Sequence, residues 1–106
     1  MPRYIRPPSS LPRDVEMAIE SFGTMFSRAI LRHLSIHGPT GAADLARELG
    51  TDPNTARRTL QGLEDAGLVE ADVPAGQRRG RTVTFTVLPE RLEQLLDGLK
   101  DYLRGR

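Results

Sequence analysis

The chain has 106 residues, suited to a single compact domain, with 38% hydrophobic and only 5% aromatic residues, so its core is expected to be Leu, Ile, Val and Ala. Its 15 Lys and Arg against 14 Asp and Glu leave a formal charge of +1, which by itself selects no partner, although Lys100 is the only lysine and guanidinium can grip phosphates and base edges in a fork. With no cysteine, disulfides, thiolate metal sites and thiol redox sensing are excluded, and no apolar run approaches the ~20 residues that span a bilayer, so a cytoplasmic protein with no membrane partner is expected.

Residues 1–12 hold four prolines (Pro2, Pro7, Pro8, Pro12) and read as a flexible arm, without the apolar centre of a secretory signal. One domain is expected over residues 13–106. Helical spacing runs from Pro12 or Arg13 through Val15, Ile19 and Phe22 to a break at Gly23. A second helix, capped by Thr24, carries Phe26, Ile30, Leu31 and Leu34 at intervals of three and four and stops before Gly38-Pro39. A short helix follows over Gly41–Leu49, with Thr40 as its expected N-cap, Ala42, Leu45, Ala46 and Leu49 on one face, and Gly50 as a left-handed C-cap. Asp52-Pro53 opens the next helix, aspartate capping it and proline taking a first position where no donor is needed. That helix places Ala56, Leu60 and Leu63 inward and runs to Ala66, with Gly67 as terminator.

The period then drops to two. Val69, Ala71 and Val73 predict one strand, Val83, Phe85 and Val87 its return, and residues 74–81 between them form a turn-rich basic loop. Pro89 opens a last helix to about Leu103, with Leu92, Leu95, Leu96, Leu99, Tyr102 and Leu103 in an apolar stripe.

The fold class this predicts is mainly α with a small β-hairpin wing, a winged helix-turn-helix. Two helices joined by a tight turn have the dimensions of a unit that lays its second helix in the major groove of DNA. The outward residues of that helix are Asn54, Thr55, Arg57, Arg58, Thr59 and Gln61. Asn and Gln pair with adenine edges, Arg with guanine or phosphate, and Thr with phosphate or a thymine methyl. Arg78, Arg79 and Arg81 put three cations within four residues at the hairpin tip, suited to phosphate or minor-groove contact. The expected DNA-binding set is therefore Asn54, Thr55, Arg57, Arg58, Gln61, Arg78, Arg79 and Arg81. The stripe on the last helix either caps the core or pairs two copies. The expectation is a homodimer interface of Leu92, Leu95, Leu99 and Tyr102.

Three stretches resemble a known family: Ile30–Leu34, Ala43–Gly50 and, most specifically, Thr55–Val69 with its Leu-Glu-Asp-Ala-Gly-Leu-Val run. Together they look like the winged-helix bacterial regulators of the ArsR and MarR type. The resemblance implies that Thr55, Arg57, Arg58 and Gln61 face the groove and that Arg78 to Arg81 form the wing. It also implies a homodimer, paired through first and last helices, that represses transcription. Metal sensors of the ArsR type often carry cysteines on the short helix or His and acidic ligands on the last one. This chain has no cysteine, and its last helix has no histidine.

No metal site, cofactor or enzyme activity is expected. His33 and His37 are four apart but lack an acid on their helix to complete a ligand set, and no Gly-rich phosphate loop, HExxH pair or triad spacing occurs. A small-molecule effector is left open by the sequence. The competing reading is a winged helix used for protein interaction or as an architectural or partition module, favoured if Glu64, Asp65 or Glu70 covered the groove-facing surface.

Overall fold

The computed structural model describes residues 12–106; the arm expected over residues 1–12 lies outside the described residues apart from Pro12. Five helices and three short strands follow one another: α1 (Arg13–Phe22), α2 (Met25–His37), β1 (Thr40–Gly41), α3 (Ala42–Leu49), α4 (Pro53–Asp65), β2 (Val69–Ala71), β3 (Thr84–Val87) and α5 (Pro89–Leu103). The mainly helical chain with a small antiparallel hairpin is the expected fold class.

Local signals set most boundaries. The Thr24 hydroxyl accepts from the Ser27 amide at 3.1 Å and starts α2. The Asp52 carboxylate accepts from the Thr55 amide at 2.9 Å and starts α4, with Pro53 in its first turn. Gly50 takes φ 69°, ending α3 while the Thr51 amide returns to the Ala46 carbonyl at 2.9 Å. Gly67, at φ 78°, closes α4 in the same way, its amide and that of Leu68 bonding back to Glu64 and Leu63.

Three details differ from expectation. Thr40 does not cap α3; Gly41 holds that position without a side-chain bond, and the Thr40 hydroxyl donates instead to the Gly38 carbonyl at 2.9 Å. Thr40 is extended because it pairs with Phe85, adding β1 to the hairpin so that the sheet order is β1-β3-β2. The hairpin ladder is also shorter than its alternation predicts, ending at Ala71 opposite Phe85. There the Asp72 carboxylate takes the Thr84 amide at 2.9 Å and its hydroxyl at 3.1 Å, and beyond it the chain folds into two successive turns, Pro74–Gln77 and Arg78–Arg81. Gly76 and Gly80 supply the positive φ that those turns use. Finally, α4 ends one residue early, with Ala66 as its C-cap.

One core holds these elements together. Ile30, Leu31 and Leu34 of α2 meet Leu45 of α3, Leu60 and Leu63 of α4, Leu68, Val69 and Phe85 of the hairpin, and Leu95 of α5. Helix α5 lies along α1, and α3 packs on α4, which leaves α4 with its buried edge on the core and its opposite edge in solvent.

Leu95 corrects the interface expected on the last helix. It is wholly buried within the protomer and belongs to the core, where a second copy has no access. Leu92 and Leu99 are partly buried against the same core and Tyr102 is half-buried. The outward apolar residues of α5 are instead Leu96 and Leu103, 42% and 73% exposed. The stripe is wide enough to have two edges, and α1 covers only one of them.

Candidate nucleic-acid interface

Helix α4 and the segment from β2 to β3 carry every residue expected to touch DNA. Ala56, Leu60 and Leu63 are buried, and at about 100° per residue Asn54, Arg58, Gln61 and Asp65 fall on the opposite side. Arg57 lies toward the wing. It lines a groove of about 570 Å³ with Gln61, Glu64, Arg81, Thr82 and the start of α3. Arg58 borders a second groove, of about 340 Å³, on the other flank beside α1 and α2. The two adjacent arginines thus stand on different sides of the helix ridge.

Short contacts order this surface. Arg57 donates to the Asn54 side chain, and the Gln61 amide donates to Asp65 at 2.9 Å. All four are exposed, so a base edge or phosphate can replace either partner at small cost. Thr55 is more committed: its hydroxyl donates to Asp52 at 2.7 Å while its amide donates to the same carboxylate. Those bonds hold the Asp52 carboxyl below its ordinary pKa, the Thr55 hydroxyl contributing most and the Thr55 amide next. The Thr59 hydroxyl turns back to the Thr55 carbonyl at 3.0 Å.

The three wing arginines divide. Arg79 and Arg81 are exposed, and among the described residues no ion pair involves them or Arg58. Arg78 is half-buried, turned back onto α4, where Glu64 receives it with both carboxylate oxygens. That pairing raises the Arg78 pKa further above its already high ordinary value. Glu64 was the residue whose significance the sequence concealed. An acid on a helix expected to face DNA reads as repulsive to phosphate, and nothing local shows that its partner lies 14 residues further along the chain. Of the other two acids on this surface, Asp65 sits at the C-terminal end of α4 and Glu70 is exposed on β2.

Among the described residues, no group of three or more His, Cys, Asp or Glu is arranged to hold a metal ion. The His33 and His37 rings instead lie against each other, centroids 4.4 Å apart at a tilt of 40°. No helix of the described residues is long and apolar enough to cross a membrane.

A family model described as a helix-turn-helix domain matches residues 26–71, which span α2 to β2. No curated protein sequence matches the chain. Among solved structures, the chain is similar to an ArsR family transcriptional regulator at 20% identity, with a TM-score of 0.68 over 87% of this chain and 94% of that one. It is similar to the antimony-specific transcriptional repressor AntR at 22% identity, with a TM-score of 0.62 over 87% of this chain and 79% of the repressor. A MarR family transcription regulator shares 23% identity and a TM-score of 0.57, over 87% of this chain and 59% of its own. At these identities the likeness is one of architecture, and with the element order and the three-stranded sheet it shows that the chain has the winged helix-turn-helix fold.

Proposed function

We propose that this protein is a transcriptional regulator of the ArsR and MarR type that binds double-stranded DNA sequence-specifically, as a homodimer and as a repressor. One observation carries the reading. The outward side of α4 presents Asn54, Arg58 and Gln61 to solvent, with Asp65 confined to its C-terminal end and bonded by Gln61, while Glu64, on the flank of α4 toward the wing, is paired with Arg78. Amide and guanidinium groups on one side of a helix match the donor and acceptor edges that bases expose in the major groove. Arg79 and Arg81 stand free on the adjoining loop to meet backbone phosphates. The similar structures, those of transcriptional regulators and a repressor, support the same role.

Dimerisation is supported by apolar side chains left in solvent on the outer helices, Ile19 of α1 and Leu96 and Leu103 of α5. In a two-fold dimer the two α4 helices would meet successive major grooves roughly 34 Å apart, and occupancy of such a site would exclude other proteins from it. The test is selection from a random duplex library followed by titration of the enriched sequence. An inverted repeat is expected. Failure of the folded protein to enrich any duplex at low salt would overturn the proposal and favour the interaction-module reading.

A further inference from the structure

The wing beyond the β2–β3 ladder has little to hold it in place. Asp72 ties the base of the loop to Thr84, and buried Val73 anchors it there; from Pro74 to Arg81 the only backbone bonds among the described residues are the two turns, which tie the loop to itself. Arg78 sits in the second turn and reaches out of the loop. Its Nη1 donates to Glu64 Oε1 at 3.2 Å, its Nη2 to Oε2 at 2.6 Å and its Nε to the Val73 carbonyl at 2.8 Å. Three of its five N–H donors are therefore committed within the protein. The guanidinium also stands 5.7 Å from the centre of the Phe85 ring. Both charged side chains are only about a quarter exposed, 23% and 24%, whereas the Asp44–Arg47 pair keeps 60% and 70%. A forked pair with this little water is stronger than an ordinary surface pair and costs more to break from one side.

We infer that Glu64 and Arg78 form a strut that sets the position of the wing against the recognition helix, so that both act as positioning residues for DNA binding. The inference rests on the DNA reading above. It takes Arg78 out of the set of phosphate-gripping arginines and leaves that work to Arg79 and Arg81, whose placement the strut controls. It also assigns Glu64 a favourable effect on binding, opposite in sign to that of an unpaired carboxylate beside a polyanion.

Sign and salt dependence together test it. Glu64→Ala, Arg78→Ala, their double variant and Arg81→Ala are titrated against a mixed-sequence duplex and against the duplex enriched by selection, from about 50 to 300 mM salt. Glu64→Ala and Arg78→Ala should each weaken binding about five- to tenfold, and the double variant should be no weaker than the worse single one. Arg78→Ala should keep the wild-type salt slope, while Arg81→Ala should reduce it by about one released ion. In the free protein, amide exchange over residues 75–82 should quicken in both single variants while α2 and α4 keep their protection. Arg78→Lys keeps the charge without the fork and should show the same change in milder form, which serves if an alanine variant unfolds. Tighter binding by Glu64→Ala, a salt slope lowered by Arg78→Ala, or unchanged wing exchange would overturn the strut. Should the wild-type chain bind no duplex, the proposed function falls, and the exchange comparison still decides the strut.

Discussion

Arg91, in the first turn of α5, reaches Asp14 in the first turn of α1, its Nη2 3.1 Å from the carboxylate, while its Nε donates to the Ala66 carbonyl at 3.2 Å. One guanidinium thus ties both outer helices to the C-terminal end of α4, where the last carbonyls have no helical partner. Its Nη1 also donates to Gln94 at 2.8 Å. With Arg91 23% and Asp14 39% exposed, solvent screens the ion pair in part. Arg91→Ala should lower stability by about 1–2 kcal/mol, because it strips several acceptors at once. Asp14→Asn, which keeps an acceptor, should cost less than about 0.5 kcal/mol. Urea denaturation of the two variants checks this, and equal losses would contradict the shared role assigned to Arg91.

The two edges of the α5 stripe should respond differently. Leu95→Ala empties a fully buried site and should cost about 2–4 kcal/mol of stability. Leu96→Ser and Leu103→Ser alter exposed positions, so their effect on protomer stability should stay within about 0.5 kcal/mol. If α5 pairs two copies, those same serines should shift the mass found by sedimentation from twice the 11.7 kDa chain toward the chain itself. A dimer unaffected by both would move the interface off the outer edge of α5.

Discrimination between sequences should depend on Arg58 more than on Arg57. Arg58 lies opposite the buried edge of α4, whereas Arg57 is turned toward the wing and held by Asn54. Arg58→Ala should therefore reduce the preference for the selected duplex over scrambled DNA by about 1–3 kcal/mol, the value of a guanidinium on a guanine edge. Arg79→Ala and Arg81→Ala should weaken binding to both duplexes alike and flatten the salt dependence. Parallel titrations on the two duplexes distinguish these outcomes, and loss of discrimination in the wing variants alone would reverse the assignment.

Acid should loosen the start of α4. The Asp52 pKa is lowered in the folded chain, so its carboxylate stabilises the fold above the ordinary carboxylate pKa. That contribution fades as the pH falls through the depressed folded value. Asp52→Asn keeps a capping oxygen without a charge, so the stability difference between it and wild type should be largest near neutrality and should shrink toward acid. Asp52→Ala, which has no cap, should lower Tm by about 5 °C at neutral pH. Thermal melts across pH 3 to 7, read by circular dichroism, check both; a pH-independent difference for Asp52→Asn would show that the carboxylate charge contributes nothing.

Much of this molecule is written in signals that act within one turn. Thr24, Asp52-Pro53, Gly50, Gly67 and Pro89 each mark a helix end through a bond or a backbone angle spanning a few residues, and all could be read before the structure. The change of period at Val69 showed the hairpin in the same way, and the order of these elements was enough for the fold class. Other features were decided only by tertiary structure. Two-residue β1 has no period to detect and exists because Phe85 offers it an open edge. An apolar stripe announces that something covers α5, but only the position of α1 decides that Leu95 is enclosed while Leu96 is left in solvent. Likewise a helix rich in arginine says nothing of its rotation, and it is the docking of Leu60 and Leu63 into the core that turns Arg58 outward and Arg57 toward the wing. The pairing of Glu64 with Arg78 lies furthest from the sequence, since an ion pair across 14 residues depends on where two elements come to rest and not on any local preference of either.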